Sequence, residues 1–100
     1  SPREVEEVLM SHAAVADAAV VSVPDKRERE MVKAFVVLKE GMSLDEHGLM
    51  DYARDNLAPY KLPKQIEFVD TLPKSATGKV LRKELRGEAE DRRLITKEDA

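Results

Sequence analysis

The sequence contains no cysteine and no tryptophan, and its aromatic residues are two tyrosines and two phenylalanines. Without cysteine, neither a disulfide framework nor a thiolate nucleophile is available to this chain. The longest nearly apolar run, residues 13–23, is too short to cross a bilayer and is interrupted by Asp17. Residues 1–10 lack the regions of a signal peptide, so we expect a cytoplasmic protein without a transmembrane segment.

A large excess of charge of one sign is also missing, since the formal net charge is only -3. Neither this charge nor the few aromatic residues, which are not interleaved with Lys and Arg, favours nucleic acid as a partner. With 100 residues and 42% hydrophobic content, the chain has the material for one small globular domain. Such a short chain rarely encloses a complete two-substrate active site, so we expect a partner or a further domain.

The spacing of apolar residues predicts, in order, a helix, two strands, a helix, a strand, a loop and a helix. Capping boxes predict the starts of the first two helices at Ser1 and Ser43, each with a glutamate three residues later. The strands are predicted at 18–23, 31–38 and 65–70, and the last helix begins near Leu81. This order is typical of an α+β fold, with a small, mainly antiparallel sheet of about three strands covered by helices.

We assign residues 1–86 to this domain and residues 87–100 to a charged C-terminal tail, which we expect to be a solvated helix or a frayed tail rather than core. The predicted order also matches a ferredoxin-like module that lacks its first strand. A stand-alone regulatory or ligand-binding module is therefore one interpretation of the sequence.

The segment that carries the most chemistry is residues 72–82, a loop rich in small and hydroxyl side chains that contains Gly78-Lys79. Glycine allows a sharp turn, and a lysine at its tip suits an anionic oxygen or phosphate. A phosphate-binding P-loop is excluded, because Pro73 stands where it needs glycine and Val80 where it needs Ser or Thr. Taken alone, a Gly-Lys pair is most often an exposed basic turn.

Five segments in the same order, however, closely resemble the C-terminal domain of adenylate-forming enzymes. They are PREVEEVL at 2–9, VPD at 23–25, VKAFVVL at 32–38, APYKLP at 58–63 and LPKSATGK at 72–79. This superfamily includes acyl-CoA synthetases, nonribosomal peptide adenylation domains and firefly-type luciferases. The last two segments look most like those of fatty-acid or aromatic-acid CoA ligases.

The resemblance implies a mobile C-terminal lid of an ATP-dependent acyl-CoA ligase, most similar to long-chain fatty-acid ligases, that is inactive alone. A carboxylate and ATP would give acyl-adenylate and pyrophosphate, after which the lid rotates and CoA displaces AMP. The N-terminal adenylation domain would hold the carboxylic acid, and Mg²⁺ is expected in the full enzyme but not on this domain. In a peptide-synthetase lid, the alternative within the superfamily, a carrier protein would replace CoA.

By the same resemblance, Lys79 is the catalytic residue of the first step, acting electrostatically on the carboxylate and the α-phosphate. Ser75, Thr77 and Gly78 would support its loop. Bacterial relatives with such a loop are often switched off by acetylation of this lysine, so a protein lysine acetyltransferase acting on Lys79 is an expected partner.

Two further residues match positions that line the CoA tunnel in the family, namely Arg54 and Leu62. Arg54 would meet a phosphate of the CoA nucleotide, but it also fits an exposed helical charge beside Asp51 and Asp55. Leu62 equally fits ordinary packing. The chain departs from the family at Arg29, where a glycine is usual, and this leaves the turn there undecided.

The remaining titratable residues give no second site. His12 and His47 have no spaced cluster of ligands around them, so we predict no metal site. Glu4, Glu6 and Glu7 have the pattern of negative charge at a helix start.

Overall fold

The computed structural model describes the backbone of residues 2–99 and the side chains of residues 2–90. The described residues form helices and strands, with one turn of 3₁₀-helix at Pro59–Lys61 between the second helix and the third strand. The elements follow in the order α1 Pro2–Met10, β1 Val15–Pro24, β2 Glu30–Leu38, α2 Glu46–Asn56, β3 Gln65–Phe68 and α3 Arg82–Asp99. The predicted element order and the α+β class are therefore confirmed. The predicted cap Ser1 lies outside the described residues.

The three strands form one mixed sheet in the order β1-β2-β3. β1 and β2 pair antiparallel over nine residue pairs, with a bulge between Val15 and Asp17. β2 and β3 pair parallel over four residue pairs. A parallel pair needs a crossover connection, which α2 provides here. The sheet has three strands as predicted, and its longer pairing is the antiparallel one.

The sheet has a hydrophobic core on each of its faces. On one face α1 and α2 cover alternate residues of the strands, including Ala18, Val20, Ala34 and Val36. On the other face α3 and the segment before it cover the residues between these, including Ala19, Val21 and Phe35. Because both faces are covered, residues 18–21 form a continuous apolar run rather than an alternating one.

The N-cap of helix α2 lies two residues later than predicted. The cap is Asp45, whose side chain accepts a hydrogen bond from the N–H of Gly48, so the prediction of Ser43 is wrong. A carboxylate at this position gains from the helix dipole as well as from the hydrogen bond. Glu46 does not reach back to close a capping box, because its carboxylate accepts the N–H of Ile66 at 2.9 Å and so connects α2 to β3.

The loop between β1 and β2 forms its turn with Arg29 at the position where the family usually has glycine. The carboxylate of Asp25 accepts the backbone N–H groups of Arg27 at 2.8 Å and Arg29 at 2.9 Å. The residue in the left-handed region is Glu28, with φ 64°. The strained position of this turn is therefore one residue before the one where the family usually has glycine.

Helix α3 continues across Gly87, where the tail was predicted to begin. Ala89 is 7% exposed and belongs to the core on the α3 face, which the charge-rich sequence did not lead us to expect. Of the described helices, none is long and apolar enough to cross a membrane.

Candidate functional site

The loop that contains Lys79 is a small hairpin held by its own backbone. Lys74 and Val80 form an isolated antiparallel bridge. Closer to the tip, the N–H of Ser75 donates to the carbonyl of Lys79 at 2.8 Å, and the N–H of Gly78 donates to the carbonyl of Ser75 at 2.9 Å. Gly78 has φ 87°, as in hairpins where a turn is followed by a left-handed glycine. The turn thus fixes the backbone from which the Lys79 side chain leaves.

The side chains around this turn are the ones that the sequence singled out. The Ser75 hydroxyl accepts the backbone N–H of Lys79 at 3.2 Å and lies 3.0 Å from the Thr77 hydroxyl. Ser75, Thr77 and Gly78 therefore surround Lys79 in space as well as in sequence. Lys79 itself is exposed. Among the side chains of residues 2–90, none forms a hydrogen bond or an ion pair with its ammonium group.

The base of the hairpin is part of the core on the α3 face. Leu72 is 5% exposed and Leu85 is 1% exposed, and Val80 packs against the same cluster. The N–H of Leu81 donates to the carbonyl of Pro73 at 2.8 Å, so the two arms are joined again just before α3 begins. The hairpin has a packed base and an exposed tip, which is a suitable arrangement for presenting a cation to another surface.

The structure does not bring Arg54 and Leu62 together with Lys79. Arg54 lies on α2, where its guanidinium is 2.7 Å from the Asp51 carboxylate and its side chain is 55% exposed. Leu62 is half-buried and packs against the core under α1 and α2. Since the hairpin base packs on the opposite face of the sheet, the two predicted regions lie on opposite sides of the domain.

Sequence reasoning missed two ion pairs that connect the hairpin to the rest of the domain. Glu6, predicted only as part of the negative charge at a helix start, is 6% exposed as a whole residue, and its Oε2 lies 2.5 Å from the guanidinium of Arg82. The Nζ of Lys74 lies 2.6 Å from Oδ2 of Asp17. A glutamate between the buried residues Val5 and Leu9 was a sequence signal for a paired core charge.

Both histidines contact neighbouring residues of the domain. Nδ1 of His12 accepts the backbone N–H of Ala14 at 3.0 Å, and the imidazole ring lies edge-on to Tyr52 with 4.8 Å between the centroids. His47 is exposed and lies 3.3 Å from Asp51, one helical turn later. Within the part of the chain whose side chains are described, no group of three His, Cys, Asp or Glu residues could hold a metal ion.

Comparisons with known proteins agree on one family. Residues 4–79 match the family described as the AMP-binding enzyme C-terminal domain. The chain is 54% identical over 84 residues to a long-chain-fatty-acid–CoA ligase of Bacillus subtilis, an alignment that covers 84% of this chain and 15% of that enzyme.

Solved structures give the same result. A benzoate CoA ligase from Burkholderia xenovorans is 48% identical with a TM-score of 0.79, and the match covers 86% of this chain and 18% of the ligase. The anthranilate CoA ligase AuaEII in complex with anthranoyl-AMP is 42% identical with a TM-score of 0.81, and the match covers 89% of this chain and 18% of that one.

The fold and the exposed lysine hairpin thus define a helix-covered α+β domain of the kind found in adenylate-forming enzymes. The chain belongs to the AMP-binding enzyme C-terminal domain family. It spans less than a fifth of the length of the ligases described above. The alternative of a stand-alone ferredoxin-like module finds no support in these comparisons.

Proposed function

We propose that this chain is the mobile C-terminal lid of an ATP-dependent acyl-CoA ligase. In the first step a carboxylate oxygen attacks the α-phosphorus of ATP and pyrophosphate leaves. In the second step the thiol of CoA attacks the acyl carbon and AMP leaves. The observation that supports this proposal most is the exposed Lys79 at the tip of its hairpin. The relative AuaEII, which was crystallised with the acyl-adenylate anthranoyl-AMP, supports the same reaction.

Lys79 acts in the first step by charge. As the carboxylate approaches the α-phosphate, two negatively charged groups share one small space, and a cation placed in advance stabilises the transition state. The ammonium group suits this role because it forms no contact with the described side chains that it would first have to break. Its side chain is long, so the hairpin can enter a cleft while the domain body stays outside it.

The opposite positions of the hairpin and α2 support a rotation between the two steps. One reacting centre cannot be reached from both sides of a domain in a single orientation. If Lys79 serves the adenylation step, then Arg54 and Leu62 serve the CoA step only after the lid has turned. In that orientation Arg54 would exchange its contact with Asp51 for a phosphate of CoA.

The remaining components belong to the longer enzyme. An N-terminal adenylation domain would hold ATP and the carboxylic acid, which we propose to be a long-chain fatty acid because of the Bacillus subtilis relative. Both relatives with solved structures are named as CoA ligases, which favours CoA over a carrier protein. Mg²⁺ would accompany ATP, but the described residues offer no cluster of side chains that fits it.

Two finer proposals concern the location of the enzyme and its regulation. A cytoplasmic location agrees with the use of ATP and CoA as substrates. A protein lysine acetyltransferase would find Lys79 on an exposed turn, and acetylation would remove the charge on which the first step depends.

A pair of reciprocal variants tests the function in the full-length protein. Lys79→Ala should lower the single-turnover rate of acyl-adenylate formation by about a hundredfold or more. Supplied with ready-made acyl-adenylate and CoA, the same variant should form thioester at nearly the wild-type rate. Arg54→Ala should instead lower the rate of thioester formation and leave the rate of acyl-adenylate formation nearly unchanged.

Lys83→Ala is the matched control, because Lys83 is another exposed lysine close by at the start of α3. It should leave both rates unchanged. Equal losses of both rates in Lys79→Ala would contradict the proposal that this lysine serves the adenylation step.

A further inference from the structure

Lys79 has ion pairs on both sides of it along the chain, although it forms none with the described side chains. Before it, Lys74 contacts Asp17 at the bulge of β1. After it, Arg82 at the start of α3 contacts Glu6 on α1. Both arms of the hairpin are thus connected by charge to elements that belong to the body of the domain.

The second of these connections is the more buried. The Glu6 side chain is 9% exposed, and its Oε2 also accepts the backbone N–H of Val20 at 2.8 Å. Glu6 is the one charged residue in the buried set of the side chains at 2–90. Because α1 and α3 cover opposite faces of the sheet, the Glu6–Arg82 pair passes around the edge of β1. A single carboxylate therefore joins α1, β1 and the start of α3.

We propose that Glu6 and Arg82 are positioning residues for Lys79. This inference rests on the proposed role of Lys79 in adenylation. The Lys79 side chain is long and unpaired among the described residues, so the hairpin backbone determines the region that its ammonium can reach. A charge-assisted hydrogen bond to a buried carboxylate fixes Arg82, and with it the arm of the hairpin that leads from Lys79 into α3.

The expected effect is large because catalysis is sensitive to small displacements. A shift of about 1 Å in a group that acts on the reacting atoms can cost about a hundredfold in rate. Lys74 and Asp17 give the other arm a second connection, so loss of the Glu6–Arg82 pair should loosen the hairpin without detaching it. The effect should fall on the adenylation step, since Lys79 acts there.

The test compares Arg82→Gln with Arg82→Lys in the full-length protein. Arg82→Gln should lower single-turnover adenylation by about tenfold to a hundredfold and leave thioester formation from ready-made acyl-adenylate unchanged. Arg82→Lys keeps the positive charge and should recover part of the loss. Glu4→Gln is the control, because Glu4 is also an α1 glutamate in an ion pair, but its partner is Lys61 and not the hairpin.

A second measurement, amide hydrogen exchange in the same proteins, does not depend on activity. The amides of Gly78 and Lys79, which donate to Ser75, should exchange faster in Arg82→Gln. The amide of Val69, which donates to Val36 beside the sheet, should exchange as in the wild type. A general loss of stability would accelerate both sets of amides.

Equal losses of both half-reactions, or unchanged exchange of the hairpin amides, would overturn the positioning role. If Arg82→Gln does not fold, Glu6→Gln replaces it, because a glutamine oxygen can still accept the N–H of Val20. If the wild-type protein forms no acyl-adenylate, the proposed function fails. The exchange measurement would still report whether the ion pair holds the hairpin.

Discussion

Lys74 and Lys79 lie on the two arms of one hairpin, but Lys74 is held 2.6 Å from Asp17 whereas Lys79 contacts no carboxylate among the described side chains. The two lysines share a loop, a charge and an exposed position. Their contribution to stability should nevertheless differ. An exposed lysine without a partner is free to serve another surface.

The first prediction is that Lys79→Ala leaves the free energy of unfolding within about 0.5 kcal/mol of the wild type. Lys74→Ala should lower it by up to about 1 kcal/mol, because the Asp17 pair is only partly exposed. Urea unfolding of the chain measures both changes. A larger loss for Lys79→Ala than for Lys74→Ala would contradict the absence of a partner for Lys79 among the side chains of residues 2–90.

Acetylation should distinguish Lys79 from Lys61 in a similar way. The Lys61 ammonium lies 2.8 Å from the Glu4 carboxylate, and this hydrogen bond raises the pKa of Lys61. A protein lysine acetyltransferase should therefore modify Lys79 in preference to Lys61, since an amine reacts in its neutral form and Lys61 is held in an ion pair. Peptide mass spectrometry after incubation with the acetyltransferase and acetyl-CoA measures the extent of acetylation at each lysine. Modification of Lys61 or Lys83 with Lys79 untouched would refute the prediction.

Two glycines should respond in opposite directions to replacement by alanine. Gly78 has φ 87°, so Gly78→Ala should destabilise the hairpin by about 1 kcal/mol although no atom blocks the new methyl group. Gly87 lies inside α3 with open space around it, so Gly87→Ala should stabilise the domain by about 0.5 to 1 kcal/mol. Thermal unfolding of the two variants checks both signs. Equal shifts in the same direction would contradict the left-handed conformation of Gly78.

The Glu4–Lys61 pair should make stability depend on pH at both ends of the scale. The hydrogen bond from Lys61 lowers the pKa of Glu4 below 4.5, so its contribution is present above that value and is lost as the pH falls through the folded-state pKa. The pKa of Lys61 is raised above 10.5, so its contribution is present below that value and is lost as the pH rises through the folded-state pKa.

The measurement is the difference in free energy of unfolding between the wild type and Glu4→Gln. This difference should be constant between about pH 6 and about pH 9 and shrink on further acidification. Asp25, whose pKa is lowered by hydrogen bonds from the backbone N–H groups of Arg29 and Arg27, is present in both proteins and cancels in the comparison. A difference that grows in acid would be the opposite of the expected sign.

The elements that local patterns determine were predictable from the sequence. Runs rich in β-branched residues predicted β1 and β2, and the apolar spacing of Leu49, Ala53 and Leu57 predicted α2 and its end before Pro59. The turn before Lys79 was also predictable, because Gly78 can adopt the backbone conformation that a sharp turn requires. The roles of Lys79 and Arg54 came from the resemblance to a family and stay predictions.

Features that depend on distant partners were not predictable. Glu6 resembled ordinary helix-start charge because its partner Arg82 lies 76 positions away. The cap of α2 was misassigned because Ser43 and Asp45 are both good capping residues and the sequence does not choose between them. Glu46 also fits a capping box that begins at Ser43, but its carboxylate accepts the N–H of Ile66 in β3 instead.

The contact between Glu6 and the backbone of Val20 also matters outside catalysis. β1 is an outer strand of the sheet, and unpaired backbone groups on such a strand can recruit strands of other chains. Here a buried carboxylate occupies the N–H of Val20 and brings a charge to that edge. Where this edge of β1 meets other chains, the same glutamate should discourage strand pairing at Val20 and with it aggregation.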